Sequence, residues 1–307
     1  MPLSTLSHAD RMALEELDAR LKTILPEDYQ DSYESVEPVP MRSAGLKYAS
    51  DGRVAWNEIW GSFCDLAMAG GPPHKGALLE AGRPEDIDAE PKRYVEVAEE
   101  ICRGVMMTTL LDTSISPVPG WVRVACLSEA MTGWLLRAIV MENVAARADG
   151  MALDLPAAPH FRLEKEIKNV ITVIAKTSHY WLEHMPRGQQ RGIASLFARL
   201  AKESPLIEPS ATGAGRDEDA AVLSAAIRRD AGLQTSGHSY AGWVGVQCAS
   251  VRNAIWLMRA LVAGNVLSRR EGTTLFVPVN RIADPGGGRV ARAVARVHRL
   301  AAARAIH

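Results

Sequence analysis

What the chain lacks narrows what it can be. Its formal net charge is −1 over 307 residues, so no global positive field exists to hold nucleic acid or an anionic membrane, and neither is an expected partner. Cysteine is scarce: four residues, none in a close metal-type pair, fit a reducing compartment better than a disulfide scaffold and point to the cytoplasm. No apolar run is long enough to span a bilayer. The opening MPLSTLSHADRMALEELDAR interrupts its apolar pattern with acids, so neither a signal peptide nor an anchor is expected. There is no Walker lysine, no GxGxxG and no recognised catalytic signature, which leaves open whether the protein is an enzyme and implies no particular cofactor. What remains, 47% apolar and 23% charged, is the profile of a globular chain able to bury one or two cores.

The most informative feature present is repetition. Gly120 to Pro156 and Gly242 to Pro278 align without a gap at an offset of 122 residues. Trp121, Cys126, Ser128, Trp134, Arg137, Asn143, Arg147, Gly150 and Pro156 recur as Trp243, Cys248, Ser250, Trp256, Arg259, Asn265, Arg269, Gly272 and Pro278. Leu111, Thr113 and Ser114 upstream are met by Leu233, Thr235 and Ser236. So many matches imply an internal duplication.

Within each copy the period changes. Val122, Val124 and Cys126 alternate, a long apolar helix follows Ser128, and Leu153 and Leu155 alternate again. The serines suit helix N-caps and Gly150 and Gly272 suit C-caps, which predicts strand, helix, strand; in one sheet such a crossover gives a parallel, right-handed βαβ unit. The expected class is α/β (or α+β), with duplicated βαβ-type units, flanking helices and a pseudo-twofold arrangement. Outside the copies, Ser7 caps a helix carrying Leu14, Leu17, Leu21 and Ile24, and residues 26–40 read as an acidic, proline-bounded arm. A second helix spans 53–68 with Trp56 and Trp60 on one face, a third spans 95–111, and others span 162–185 and 189–202. The expected organisation is an N-terminal helix and arm over 1–40, a first half over 41–203 with its repeat at about 98–157, a linker over 204–219, and a second half over 220–307 with its repeat at about 220–279 and a basic final helix.

Candidate site residues come from several places. Arg137, Asn143, Arg147 and their counterparts Arg259, Asn265 and Arg269 are the polar positions both copies kept. At about 100° per residue, Arg147 lies about 80° from Arg137 and Asn143 about 40° further round, so all three share one side of a helix. They suit a paired basic site for a ligand with two carboxylates or phosphates; the plainer reading is arginines paired with acids of the fold. The unduplicated loop Gly71-Pro72-Pro73-His74-Lys75-Gly76 offers His74 and Lys75 as an acid–base group beside a cation, or is simply a stiff turn. Near a helix end, His179 stacks over Glu183 and Tyr180 over His184. That spacing suits metal ligands, with His74 or His238 as a third, and equally suits histidines at a helix C-terminus. The repeated cysteines stand before a helix N-cap, where a thiol is either activated or, more commonly, a buried apolar group. Arg289, Arg292, Arg296 and Arg299 form a stripe on the last helix, and no acid follows Asp284. That stripe suits docking onto the acidic arm at Asp28, Asp31, Glu34 and Glu37, and Gly286 to Gly288 before it suit an anion at the helix start.

Two functions follow as expectations. One is an enzyme or binding protein for a small anionic metabolite, with its site between the halves; the other is a noncatalytic subunit or assembly factor working through a protein partner. A homo-oligomer is expected in either case.

Overall fold

The computed structural model describes residues 7–27, 30, 45–58, 77–210, 217–236 and 240–307. The chain divides into two compact units, one of Met1–Val36 with Arg191–His307 and the other Glu37–Gln190. Among the described residues no helix is long and apolar enough to cross a membrane.

In the Glu37–Gln190 unit, residues 56–58 begin a helix, and the rest of the 53–68 helix read from the sequence lies outside the described residues. The elements that follow are α2 (Pro84–Ala89), α3 (Pro91–Thr109), β1 (Thr113–Ile115), β2 (Trp121–Ala125), α4 (Glu129–Met141), β3 (Arg147–Asp149), β4 (Ala152–Pro156) and α5 (Lys168–His179). Single π-helical turns, Leu163–Ile167 and Tyr180–His184, flank α5. The sheet order is β1-β2-β4-β3. Val122, Val124, Leu153 and Leu155 point to a fully buried face, and α5 packs across α3 and α4 to close the core.

The other unit has α1 (His8–Ile24), α7 (Asp217–Ala231), β5 (Trp243–Gln247), α8 (Val251–Ala263), β6 (Arg269–Glu271), β7 (Thr274–Pro278) and α9 (Gly288–Ala303), with sheet order β5-β7-β6. Helix α6 (Arg187–Glu203) carries the chain across the division at Gln190 and Arg191. Here α9 packs on α7 and α8, while α1 lies against α8. This explains why α8 is buried from Asn253 to Ala263 all round its circumference.

The two similar segments take the same local fold. Ser128 and Ser250 both cap their helices, accepting from Met131 N at 3.2 Å and from Asn253 N at 3.1 Å. The strand registers match as well, Trp121 opposite Pro156 and Trp243 opposite Pro278.

Both sheets are antiparallel, not parallel as the crossover argument predicts. The reason is one extra chain reversal. Each helix ends on an asparagine in the left-handed region, Asn143 at φ 61° and Asn265 at φ 65°, and the chain then forms a short strand and a tight hairpin before the long return strand. Gly150 and Gly272 are therefore not helix caps. They open two-residue hairpin loops at φ 59° and 56°, a conformation glycine adopts without strain.

A segment outside the ungapped alignment is also shared. Leu79 bridges Val144 and Ile207 bridges Val266, both in parallel, so part of the 204–219 stretch is pinned to the second segment.

Gly104 permits a close helix contact, since a Cβ there would lie 2.2 Å from Ile171 Cδ1. Gly104→Ala is expected to cost about 1–3 kcal/mol in urea unfolding, partly recovered by Ile171→Val in the same chain; a change within experimental error would contradict this packing. The start of α5 carries a pH prediction. Burial pushes the Glu166 carboxyl up, but hydrogen bonds from the Arg162 guanidinium and backbone N–H outweigh it and lower the group from 4.5 to about 2. Its contribution is thus present above pH 4.5 and lost as pH falls through about 2. Glu166→Gln should flatten the acid limb of the stability curve, and an unchanged limb would show that the pair contributes nothing.

Candidate functional site

The fold separates the polar positions that a single helix face seemed to unite. Arg137 lies on α4, but Asn143 sits beyond its end and Arg147 lies on β3, because the helix stops at Met141. Arg137 is buried, its Nη1 donating to Gly133 O at 2.7 Å, and its counterpart Arg259 is buried on α8. Asn143 and Asn265 are buried too; Asn265 Nδ2 donates to Ser204 O at 2.8 Å. Their left-handed backbone supplies a local reason for asparagine at both positions.

Arg147 and Arg269 share a setting, their guanidinium carbons 5.1 Å and 5.2 Å from the ring centres of Trp121 and Trp243. Around this shared pair the segments diverge. In the first, Arg123 holds the buried Asp154 through two hydrogen bonds of 2.8 and 3.1 Å, and Arg147 approaches the same carboxylate at 3.8 Å. In the second, Gly245 and Phe276 stand where Arg123 and Asp154 would be. Arg269 is fully buried there, bonded to Glu271 at 2.6 Å and lying over Phe276 and Tyr240 at 4.1 and 4.3 Å. Both arrangements tie a cation into the sheet's own structure.

Cys126 and Cys248 are buried, Cys102 on α3 is half-buried, and the helix starts do not activate the first two. Burial pushes Cys102 up to about 11 and Cys248 up to about 12, and raises Cys126 as well. His74 and Lys75 lie outside the described residues, as do His238 and the arm acids Asp28, Asp31, Glu34 and Glu37.

The stripe on α9 finds other acids. Arg299 pairs with Asp10 at 3.2 Å and Arg296 with Glu16 at 3.9 Å, both on α1, and Arg304 beyond the stripe pairs with Asp18. The start of α9 is likewise filled from within, since the Asp284 carboxylate accepts from Arg289 N and Val290 N, each at 2.9 Å.

At the end of α5, Tyr180 stacks over His184 as the spacing predicts, and the turn also brings His184 beside His179. The π turn pairs His179 with His184, Nε2 to Nε2 at 2.9 Å, while Glu183 is exposed. Burial first, then the neighbouring His184, lowers the His179 imidazole below its ordinary value. No third histidine, cysteine or carboxylate joins these two among the described residues.

Clefts lie within each unit among the described residues. One, of about 270 Å³, is bordered by Tyr48, Arg53, Arg93, Glu96 and Glu100. Its charges are matched: Glu100 binds Trp56 Nε1 at 2.8 Å and Arg103 Nε at 2.9 Å, and Arg93 meets Glu96 at 3.1 Å. The other, of about 120 Å³, lies among α1, α8 and α9 and includes Glu16, Arg20 and Arg296.

A different feature has no internal explanation. At the end of the first sheet where Ala125 N bonds Asp112 O and Cys126 N bonds Met151 O, large apolar residues face solvent. Leu110 is 88% exposed, Leu127 67%, Met151 55% and Met106, one turn before Leu110 on α3, 47%. Leu110 also holds a left-handed backbone at φ 59°, a conformation that costs a leucine about 1–2 kcal/mol. The matching positions in the second segment are Arg228, Gly232, Ala249 and Thr273, and Gly232 takes the same conformation at φ 68° without a side chain to strain. Exposed acids Asp112, Glu129 and Asp149 border the first patch; Asp112 and Glu129 are replaced by Gln234 and Val251 in the second segment. The sequence signal is present in the two aligned segments, but only at positions where they differ.

The geometry thus defines two mixed helix–sheet units, each built on a small antiparallel sheet. No protein-family model, curated protein or solved structure matches the chain.

The buried thiols give the prediction. At about pH 8, Cys126 and Cys248 are expected to react with a maleimide only as fast as the fold opens, as followed by peptide mass spectrometry. Rapid native labelling of Cys248 would contradict the burial described.

Proposed function

We propose that the two similar segments descend from one duplicated unit and that the protein is a noncatalytic binding subunit. In this reading the Glu37–Gln190 unit holds a partner protein at the exposed end of its sheet. The observation that carries it is Leu110: a strained, solvent-facing leucine where the matching residue is an unstrained glycine, set among Met106, Leu127 and Met151. Strain retained together with exposure calls for a function outside the fold. The bordering Asp112, Glu129 and Asp149 select the partner's chemistry, an amphipathic segment whose apolar face is edged by lysine or arginine. The same acids would repel a second copy docked patch to patch, and would repel an anionic membrane.

This reading is favoured over a small anionic ligand because Arg147 and Arg269 are engaged within their own sheets and the charges of the larger cleft are matched. The test is site-specific photo-crosslinking from position 151 in living cells, with the attached peptide sequenced. Expected is a peptide from another protein with apolar and basic residues at helical spacing. With the probe kept at position 151, it should be lost when the surrounding patch is rebuilt as its counterpart by Met106→Arg, Leu110→Gly and Leu127→Ala. Retention of the crosslink in that variant, attachment to this chain alone, or an acidic or non-amphipathic peptide would overturn the proposal, as would no crosslink.

A further inference from the structure

Independent of that patch, the turn that ends α5 carries chemistry of its own. We propose that His179 and His184 form a chelating pair for one divalent transition-metal ion of square-planar or octahedral preference, such as Cu(II) or Ni(II).

The backbone creates the pair. An α-helix sets residue i beside i+4, but Tyr180–His184 is a π turn, with Met185 N bonding Tyr180 O at 2.8 Å, so His184 comes over His179. Turns of this kind recur at functional sites, and the register shift is needed to bring the two imidazoles together. Their Nε2 atoms are 2.9 Å apart, with the rings at 63° and their centres 4.8 Å apart.

The separation selects the ion. Metal–imidazole bonds of about 2.0–2.1 Å to nitrogens 2.9 Å apart enclose roughly 90°, the angle between neighbouring ligands of a square-planar or octahedral ion. A tetrahedral ion would need its nitrogens about 3.3 Å apart. In the metal-free pair, one ring donates its Nε2–H to the other. Coordination uses both Nε2 lone pairs, and the shared proton moves to Nδ1 of its own ring, so both imidazoles stay neutral.

The rings are held from behind. Tyr180 stacks on His184 at 6.3 Å, Trp134 stacks on Tyr180 at 5.8 Å, and Trp181 tilts against Trp134 at 5.7 Å. The Trp181 carbonyl receives Gln190 Nε2 at 2.7 Å, which fixes the turn from its far side. His184 is exposed and His179 half-buried, so water completes the coordination.

The stack also supplies a readout. Cu(II) chloride added alone to the full chain in a non-chelating buffer should quench tryptophan fluorescence, with one ion bound per chain by native mass spectrometry. Its electron paramagnetic resonance should show two equatorial imidazole nitrogens. Ni(II) should raise the melting temperature. Both His179→Gln and the exposed His184→Gln should weaken Cu(II) binding at least about tenfold and abolish the two-nitrogen signature, with His184→Gln decisive if the other variant unfolds. Unchanged affinity in His184→Gln would overturn the assignment. So would a spectrum lacking two imidazole nitrogens, or no metal binding by the wild-type chain.

Discussion

The architecture of both sheets depends on one backbone conformation, the left-handed asparagine after each central helix. Without Asn143 or Asn265 in that state, the helix would run on and the long return strand could not form a hairpin with the short one. The turn at asparagine and the hairpin after it reverse the chain twice, and those reversals set the return strand antiparallel to β2 or β5. They also bring Arg147 and Arg269 over Trp121 and Trp243, contacts that no helix face could have made.

One arginine position then meets two different surroundings. Around Arg147 the sheet has a second arginine and a buried carboxylate; around Arg269 a glycine and a phenylalanine stand at the matching positions. A Cβ at Gly245 would lie 2.1 Å from Ser236 Oγ and 3.3 Å from Phe276, so a side chain there would force Ser236 to turn aside. A shared scaffold can thus change a hydrogen-bonded ion pair into an aromatic enclosure while the strand registers stay the same.

Much of the secondary structure was legible in the sequence because helix caps and apolar periods act locally. Ser7, Ser128 and Ser250 each accept the backbone N–H that a capping serine should, and Leu14, Leu17, Leu21 and Ile24 form the buried stripe of α1. Strand direction was not legible, because it depends on a three-residue strand whose short run carries almost no periodic signal. Asn143 before it and Gly150 after it were visible, but each also had a reading within a longer helix. The pairing of His179 with His184 was hidden for a related reason: nothing in the residue types announces a helix that widens by one residue for a single turn. The apolar patch is marked in the sequence only where the two segments differ, as at Leu110 and Gly232.

The division of the chain has a consequence for its synthesis. Helix α1 is made well before the surfaces that bury it, α8 and the arginines at 296, 299 and 304. Between them the ribosome must produce the whole Glu37–Gln190 unit, whose sheet and helices come from one unbroken stretch and can close without waiting. Helix α1 therefore emerges with Leu14, Leu17, Leu21 and Ile24 uncovered and stays an amphipathic segment open to chaperones until α8 and α9 have been made. Its unit can be completed only when α9 has left the exit tunnel.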